Sequence, residues 1–219
     1  MTLSLYAHPF SSYCQKVLIA MYENQVPFAL KLMGPDATDI QAEFAALWPL
    51  KRMPALVDDS RTIVESSIII EHLAIHHPGP VRLIPNDADA ALPVRMMDRF
   101  FDNYVMTPMQ KIVFDSLRPA EERDRRGCDE ARALLDSAFA WADSTLKGRQ
   151  WAAGDSFSLA DCAGAPALFY ANWLHPIPES CAELRAYRRR LASRPSFGRV
   201  LEEARPFRPW FPLDLPCPE

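Results

Sequence analysis

The opening of the chain changes hydrophobic period repeatedly. Leu3, Leu5 and Ala7 alternate with Ser4 and Tyr6, which puts the three on one face of a strand. From Ser12 to Asn24 the spacing lengthens, and Val17, Leu18, Met21 and Tyr22 recur at helical intervals. Phe28–Leu32 reads as a second strand and Ile40–Leu47 as a short helix. Ala55–Val57 and Thr62–Val64 flank Asp58-Asp-Ser-Arg61, which is turn chemistry between two hairpin strands. Ser67–His76 reads as a helix, stopped by Pro78-Gly79-Pro80. The order is β-α-β-α-β-β-α. A helix between the first two strands implies a parallel pair, and the short later turn implies an antiparallel one.

From about Ala88 onward the period is helical and no strand pattern is found. Ala131, Leu134, Leu135, Ala138, Phe139, Ala142 and Leu146 fall on one helical stripe. Leu184, Tyr187 and Leu191, then Phe197, Val200 and Leu201, continue it. The expected fold class is therefore α+β with two domains: residues 1–78, a linker at 79–87, and an all-helical domain at 88–219. In the tail, Arg205-Pro-Phe-Arg-Pro-Trp-Phe-Pro212, the prolines argue against a helix, so an extended run with docked aromatics is expected. Within the helical half, Ser158 can cap a helix while Asp161 reaches back to its amide, a capping box with Asp in place of Glu. Phe157 and Cys162 are placed for a hydrophobic staple. Ala163-Gly-Ala-Pro-Ala167 allows close packing, and Pro166 inside a helix costs about 3 kcal/mol unless packing offsets it. This segment reads as a folding signal.

Composition narrows the function. The formal net charge of −4 leaves no basic excess to neutralise phosphates, which argues against nucleic acid. Arg123–Arg126 and Arg188–Arg190 read as solvated helix faces. No uncharged apolar stretch is long enough for a membrane span, and Met1–His8 lacks the pattern of a signal peptide. Five scattered cysteines, Cys14, Cys128, Cys162, Cys181 and Cys217, make no disulfide framework and fit a reducing cytoplasm. Seven glycines supply neither a dinucleotide fingerprint nor a phosphate loop. His72 and His76 stand four apart, a spacing that can seat a metal on one helix face. With no third ligand evident, no metal is expected.

Three short segments carry candidate chemistry. Ser11-Ser-Tyr-Cys14 lies between the first strand and the first helix, where free backbone amides and the helix dipole favour an anion. A hydroxyl there can donate to a thiolate; alternatively Ser11 or Ser12 only caps the helix. Ser11 stands where a Cys-x-x-Cys site would hold its first thiol, so dithiol exchange is excluded and Cys14 reads as packing. In Lys51-Arg-Met-Pro-Ala-Leu56, Pro54 opens a strand. A cis Met53–Pro54 bond would turn the Met53 backbone outward, where an extended peptide can pair with it as an added strand. Lys51 and Arg52 sit beside that edge, either holding a carboxylate or as solvated charge. Glu65 and Ser66 open the last helix of the unit: Ser66 caps it, or the pair grips an α-carboxylate and an α-amino group.

Together these pieces resemble the glutathione transferase family. Pro9-Phe-Ser-Ser-Tyr-Cys-Gln-Lys-Val17, Arg52-Met-Pro-Ala-Leu56 and Val64-Glu-Ser-Ser-Ile-Ile-Ile70 look like its N-terminal domain, and Gly154–Asp161 looks like the capping box of its helical domain. The resemblance implies a cytosolic, serine-type member with a thioredoxin-like glutathione-binding domain, glutathione as co-substrate, a small hydrophobic electrophile, and a homodimer. It implies Ser11 as the activating hydroxyl, with Tyr6 near the place of the phenol in tyrosine-type members. Met53 and Pro54 match the cis-proline that pairs with the cysteinyl backbone, Glu65 and Ser66 the grip on the γ-glutamyl end, and Arg52 the approach to the glycyl carboxylate. One departure is Trp48-Pro-Leu-Lys51, where the family often has Asn-Pro-x-Gly. Candidate walls for the electrophile are Phe10, Tyr104, Met109, Phe114, Trp173 and Trp210. The rival readings are an isomerase or reductive dehalogenase on the same scaffold, and a non-catalytic binding or regulatory protein.

Overall fold

In the computed structural model, which describes residues 3–213, the alternating opening forms β1 (Leu3–Ala7), with Leu3, Leu5 and Ala7 all buried. It is followed by α1 (Ser12–Glu23), β2 (Phe28–Leu32), α2 (Thr38–Leu47), β3 (Ala55–Asp58), β4 (Arg61–Val64) and α3 (Ser66–His76). The sheet order is β2-β1-β3-β4. β1 and β2 are parallel, while β3 runs antiparallel to both β1 and β4. Leu5 faces Leu30 on one side and Leu56 on the other. The β3–β4 turn places Asp59 at φ 53, a left-handed conformation that Asp tolerates. This is the expected mixed, thioredoxin-like unit.

The helical half comprises α4 (Ala88–Phe100), α5 (Thr107–Ser116), α6 (Arg125–Thr145), α7 (Leu159–Leu174), α8 (Ala182–Ala192) and α9 (Pro195–Ala204). Among the described residues it holds no strand, only an isolated bridge between Trp151 and Gly154. A π-helical segment, Phe101–Met106, joins α4 directly to α5. α7 is the central pillar: every residue from Leu159 to Ala171 is buried, so the surroundings hold Pro166 inside the helix. At Gly164 an added Cβ would lie 2.9 Å from both Phe101 and Tyr187, so only glycine permits this approach. The Asp161 carboxylate accepts from the amides of Ala152 and Ser158 and the hydroxyls of Ser158 and Tyr187, at 2.7–2.9 Å. Phe157 and Cys162 are both buried, and the Phe157 ring meets Trp151 edge-on at 5.1 Å.

The tail departs from expectation. Arg205–Trp210 is a 3-10 helix and not an extended run. Pro206 lies in its first turn, whose N–H groups have no intrahelical partner in any case, and a run this short needs few donors. The aromatics do dock: Phe207 and Trp210 pack on His8 at 4.4 and 5.2 Å, and Phe211 meets Trp173 edge-on at 5.2 Å. Cys217 lies outside the described residues.

α1 is buried along nearly its whole length, packed against α3, α7 and α9. One residue in that apolar helix is cationic. Lys16 is 1 % exposed, with its Nζ 2.6 Å from Asp98 Oδ1 and 2.7 Å from Asp102 Oδ2. It also donates to the Ser67 hydroxyl at 2.8 Å. Arg99 reaches the same two aspartates from the outer side, at 2.7 Å each. Burial raises the Asp102 pKa, against the opposing charges of Lys16 and Arg99. The cluster joins α1 and α3 to α4 and the π segment, and so fastens the two halves together. None of the described helices is long and apolar enough to cross a membrane.

Replacing Lys16 with Met leaves two buried carboxylates without their central cation. Urea denaturation of Lys16→Met is expected to show a loss of about 3–5 kcal/mol. Arg126→Ala, which breaks the exposed Arg126–Glu130 pair, is expected to cost less than about 0.5 kcal/mol.

Candidate functional site

Ser11 ends the loop after β1 and is the N-cap residue of α1, with extended backbone (φ −85, ψ 122). Its amide donates to His8 O at 2.9 Å and its carbonyl accepts from Gln15 N at 2.8 Å, so its backbone is fixed. Its hydroxyl makes no capping hydrogen bond. The capping alternative is thereby removed. The hydroxyl stands at a helix N-terminus, where the dipole favours negative charge.

Three cavities meet at Ser11. The most polar, of about 630 Å³, is lined by Ser11, Arg52, Met53, Pro54, Glu65 and Ser66, together with Lys51. A second, of about 740 Å³, is walled by His8, Phe10, Met33, Phe44, Met53 and Trp210. A third, of about 290 Å³, is walled by Phe10, Met109, Phe114, Tyr170 and Trp210. The structure thus gathers Ser11, Arg52, Met53, Pro54, Glu65 and Ser66 around one cleft, with Phe10 on the apolar side. The Phe10 ring is held edge-on to Tyr170 at 5.6 Å, and its amide donates to His8 Nδ1 at 3.1 Å.

Backbone geometry shapes the polar cleft. The Met53–Pro54 bond is cis. The Trp48–Lys51 turn closes with Lys51 N on Trp48 O at 2.9 Å, and Lys51 takes φ 52. The lysine therefore adopts the left-handed conformation that a glycine at that place would take freely. Glu65 has φ 70 and ψ 118, a sparsely populated region that costs a non-glycine residue about 1–3 kcal/mol. This sharp entry into α3 makes Glu65 the N-cap residue. Ser66 therefore sits one position inside the helix and does not cap it.

Two electrophile-wall candidates fall elsewhere. Tyr104 belongs to the π segment, is half exposed, and packs on Phe100 at 5.9 Å. Trp173 is buried behind Phe10, its ring against Phe169 at 4.8 Å. Neither lines these cavities. Tyr6 stacks on Phe44, and its hydroxyl donates to Glu43 Oε2 at 3.0 Å. Burial and that carboxylate raise the Tyr6 pKa, which makes its phenol a poorer proton donor. Burial also pushes the Cys14 thiol up to about 11, against smaller opposing hydrogen bonds from Ser11 and the His8 backbone. Cys14 is therefore a protonated packing residue at neutral pH.

Sequence reading missed Arg99, Asp102, Asn103 and Gln110, which close the polar cleft from the helical side. Asp102 and Asn103 are placed by the π segment, which has no sequence signature. It also missed His8. Burial lowers the His8 pKa, which keeps the ring neutral, and its Nδ1 acceptor role fixes the Phe10 loop.

Comparisons with known proteins agree with the fold. The family profile "Glutathione S-transferase, N-terminal domain" matches residues 5–81 and "Glutathione S-transferase, C-terminal domain" matches residues 105–195. The glutathione S-transferase GstB of Escherichia coli K12 is 30 % identical over 173 residues, which cover 76 % of this chain and 82 % of that protein. A stringent starvation protein A homolog from Coxiella burnetii is 25 % identical over 204 residues, 92 % of each chain. A solved glutathione S-transferase from Methylobacterium radiotolerans, in complex with glutathione sulfonate, superposes with a TM-score of 0.78 at 27 % identity, covering 91 % of this chain and 94 % of that one. Both domains match in order along one chain, and this protein belongs to the glutathione S-transferase family.

Proposed function

We propose that this protein is a serine-type glutathione transferase that activates the glutathione thiol for attack on a small, hydrophobic electrophile. One observation carries the reading: the Ser11 hydroxyl, not spent on capping, stands where a polar cleft and two apolar-walled cavities meet. The related Methylobacterium enzyme, solved with glutathione sulfonate, supports glutathione as the occupant of the cleft.

Glutathione lies with its cysteinyl backbone along Met53, its γ-glutamyl end at Glu65 and Ser66, and its glycyl carboxylate toward Arg52 and Lys51. The first-turn amides of α3 add positive potential where the γ-glutamyl α-carboxylate sits. The sulfur then faces Ser11. A free cysteinyl thiol has a pKa of about 8.5, and each unit of decrease corresponds to about 1.4 kcal/mol favouring the thiolate. Ser11 donates its hydroxyl hydrogen to the sulfur, and the N-terminus of α1 adds its field. The thiol proton leaves to solvent. The thiolate forms a C–S bond with an electrophile held against Phe10, Phe114 and Trp210. A leaving group departs with the bonding electrons or, in an addition, the adjacent carbon takes a proton from water.

The working form we propose is a homodimer in the reducing cytoplasm. Cys14, Cys128, Cys162 and Cys181 are all free and buried, which suits that compartment.

Ser11→Ala is expected to lower kcat about 10- to 100-fold, the worth of one charge-assisted hydrogen bond. Its KM for glutathione should move much less, and Tyr6→Phe should retain full turnover, both read in a conjugation assay. Glu65→Gly relieves the backbone and removes the grip. Its melting temperature should match or exceed the wild type, while its KM for glutathione should rise by about tenfold or more.

A further inference from the structure

Away from the glutathione cleft, the paired histidines of the HLAIHH run acquire the third ligand that the sequence did not reveal. Asp58, the last residue of β3, accepts on one carboxylate oxygen, Oδ2, from two imidazoles. His72 Nε2 and His77 Nε2 each lie 2.8 Å from it. The partner of His72 is His77, and not the His76 suggested by helical spacing. α3 ends at His76, and His77 leaves the helix with φ −135 and ψ 56, so its ring reaches Asp58. His76 lies close by, its ring 4.4 Å from that of His72. The side chains of His72 and Asp58 are 10 % and 13 % exposed, so the scaffold holds them in place.

We propose that Asp58, His72 and His77 form a binding site for a divalent transition metal, with zinc as its reference ion. The three donor atoms lie within 4.8 Å of one another and come from the end of β3, from α3 and from the residue that follows α3. Bonds of about 2.0–2.1 Å at a tetrahedral centre separate ligand atoms by about 3.3 Å. The two 2.8 Å contacts therefore need to open by about half an ångström, and the two imidazole nitrogens, no more than 4.8 Å apart, to close by at most about 1.5 Å. Two imidazoles and one carboxylate suit Zn²⁺, Ni²⁺ or Cu²⁺ over Mg²⁺ or Ca²⁺. On binding, each neutral imidazole presents its Nε2 lone pair and carries its proton on Nδ1. His76 or water completes the coordination. None of the three residues lines the cavities at Ser11, so the ion would pin the β3–β4 hairpin to the end of α3 without entering the transfer chemistry.

The test is calorimetric titration of the metal-free full chain with Zn²⁺ and no thiol in the buffer, alongside His77→Ala and Asp58→Asn. Asp58→Asn keeps an oxygen that can accept from both imidazoles, so it guards against simple misfolding, but it loses the anionic ligand. The expected result is one zinc per chain at micromolar affinity, a melting temperature raised by zinc, and at least about tenfold weaker binding in both variants. Their glutathione conjugation, assayed without metal, should match the wild type. Absence of one-to-one zinc binding, or binding that both variants keep, would overturn the proposal.

Discussion

Lys16 sets the relation between the two halves of the molecule. A cation that is 1 % exposed is tolerated only because Asp98 and Asp102 meet it at 2.6 and 2.7 Å and Ser67 accepts its third contact. Those partners sit on α4, the π segment and α3. One side chain of α1 therefore ties elements of both halves together. The consequence reaches the site, because α1 begins at Ser12, next to Ser11. The polar cleft is built from both halves: Glu65 and Ser66 on one side, Arg99, Asp102 and Asn103 on the other. Asp102 is shared between the clamp and the cleft wall. The buried ion pairs thus align two surfaces that together wall the cleft.

Local rules made much of the N-terminal unit legible. Strand alternation, the Asp58–Arg61 turn and the helix between β1 and β2 dictate the mixed sheet. The same holds for Asp161, whose spacing from Ser158 announces the cap. What stayed hidden depends on packing between distant segments. The π segment is continuous with regular helix on both sides, so nothing in its composition marks the shift that places Asp102 and Asn103. Tyr104 and Trp173 are aromatic like the true cavity walls, and sequence does not separate them, yet one faces outward and the other lies in the core. The tail's prolines argue against a helix, yet a 3-10 run places Pro206 in its first turn and carries Pro209 within it. Lys16 did carry a readable signal: a lone lysine within an apolar helix requires a buried counter-charge.

At Ser11 the relevant contrast is with its neighbours. Tyr6 is committed to Glu43 and Phe44, and Cys14 is buried with its thiol pushed up to about 11. Neither lines the cavities at Ser11. Ser11 is left as the hydroxyl at the confluence of the cavities, next to a helix N-terminus that favours an anion. The apolar walls then act after the thiolate exists, by holding a carbon centre near it.

The central claim is that the site makes a thiolate from bound glutathione. Its most direct measurement is the ultraviolet thiolate absorbance of the enzyme–glutathione complex, titrated against pH. The account predicts that the bound thiol ionises at least about one unit below the free value of about 8.5, and that this decrease disappears in Ser11→Ala. A bound thiol that ionises at the free value, or a decrease that survives loss of the Ser11 hydroxyl, would contradict it.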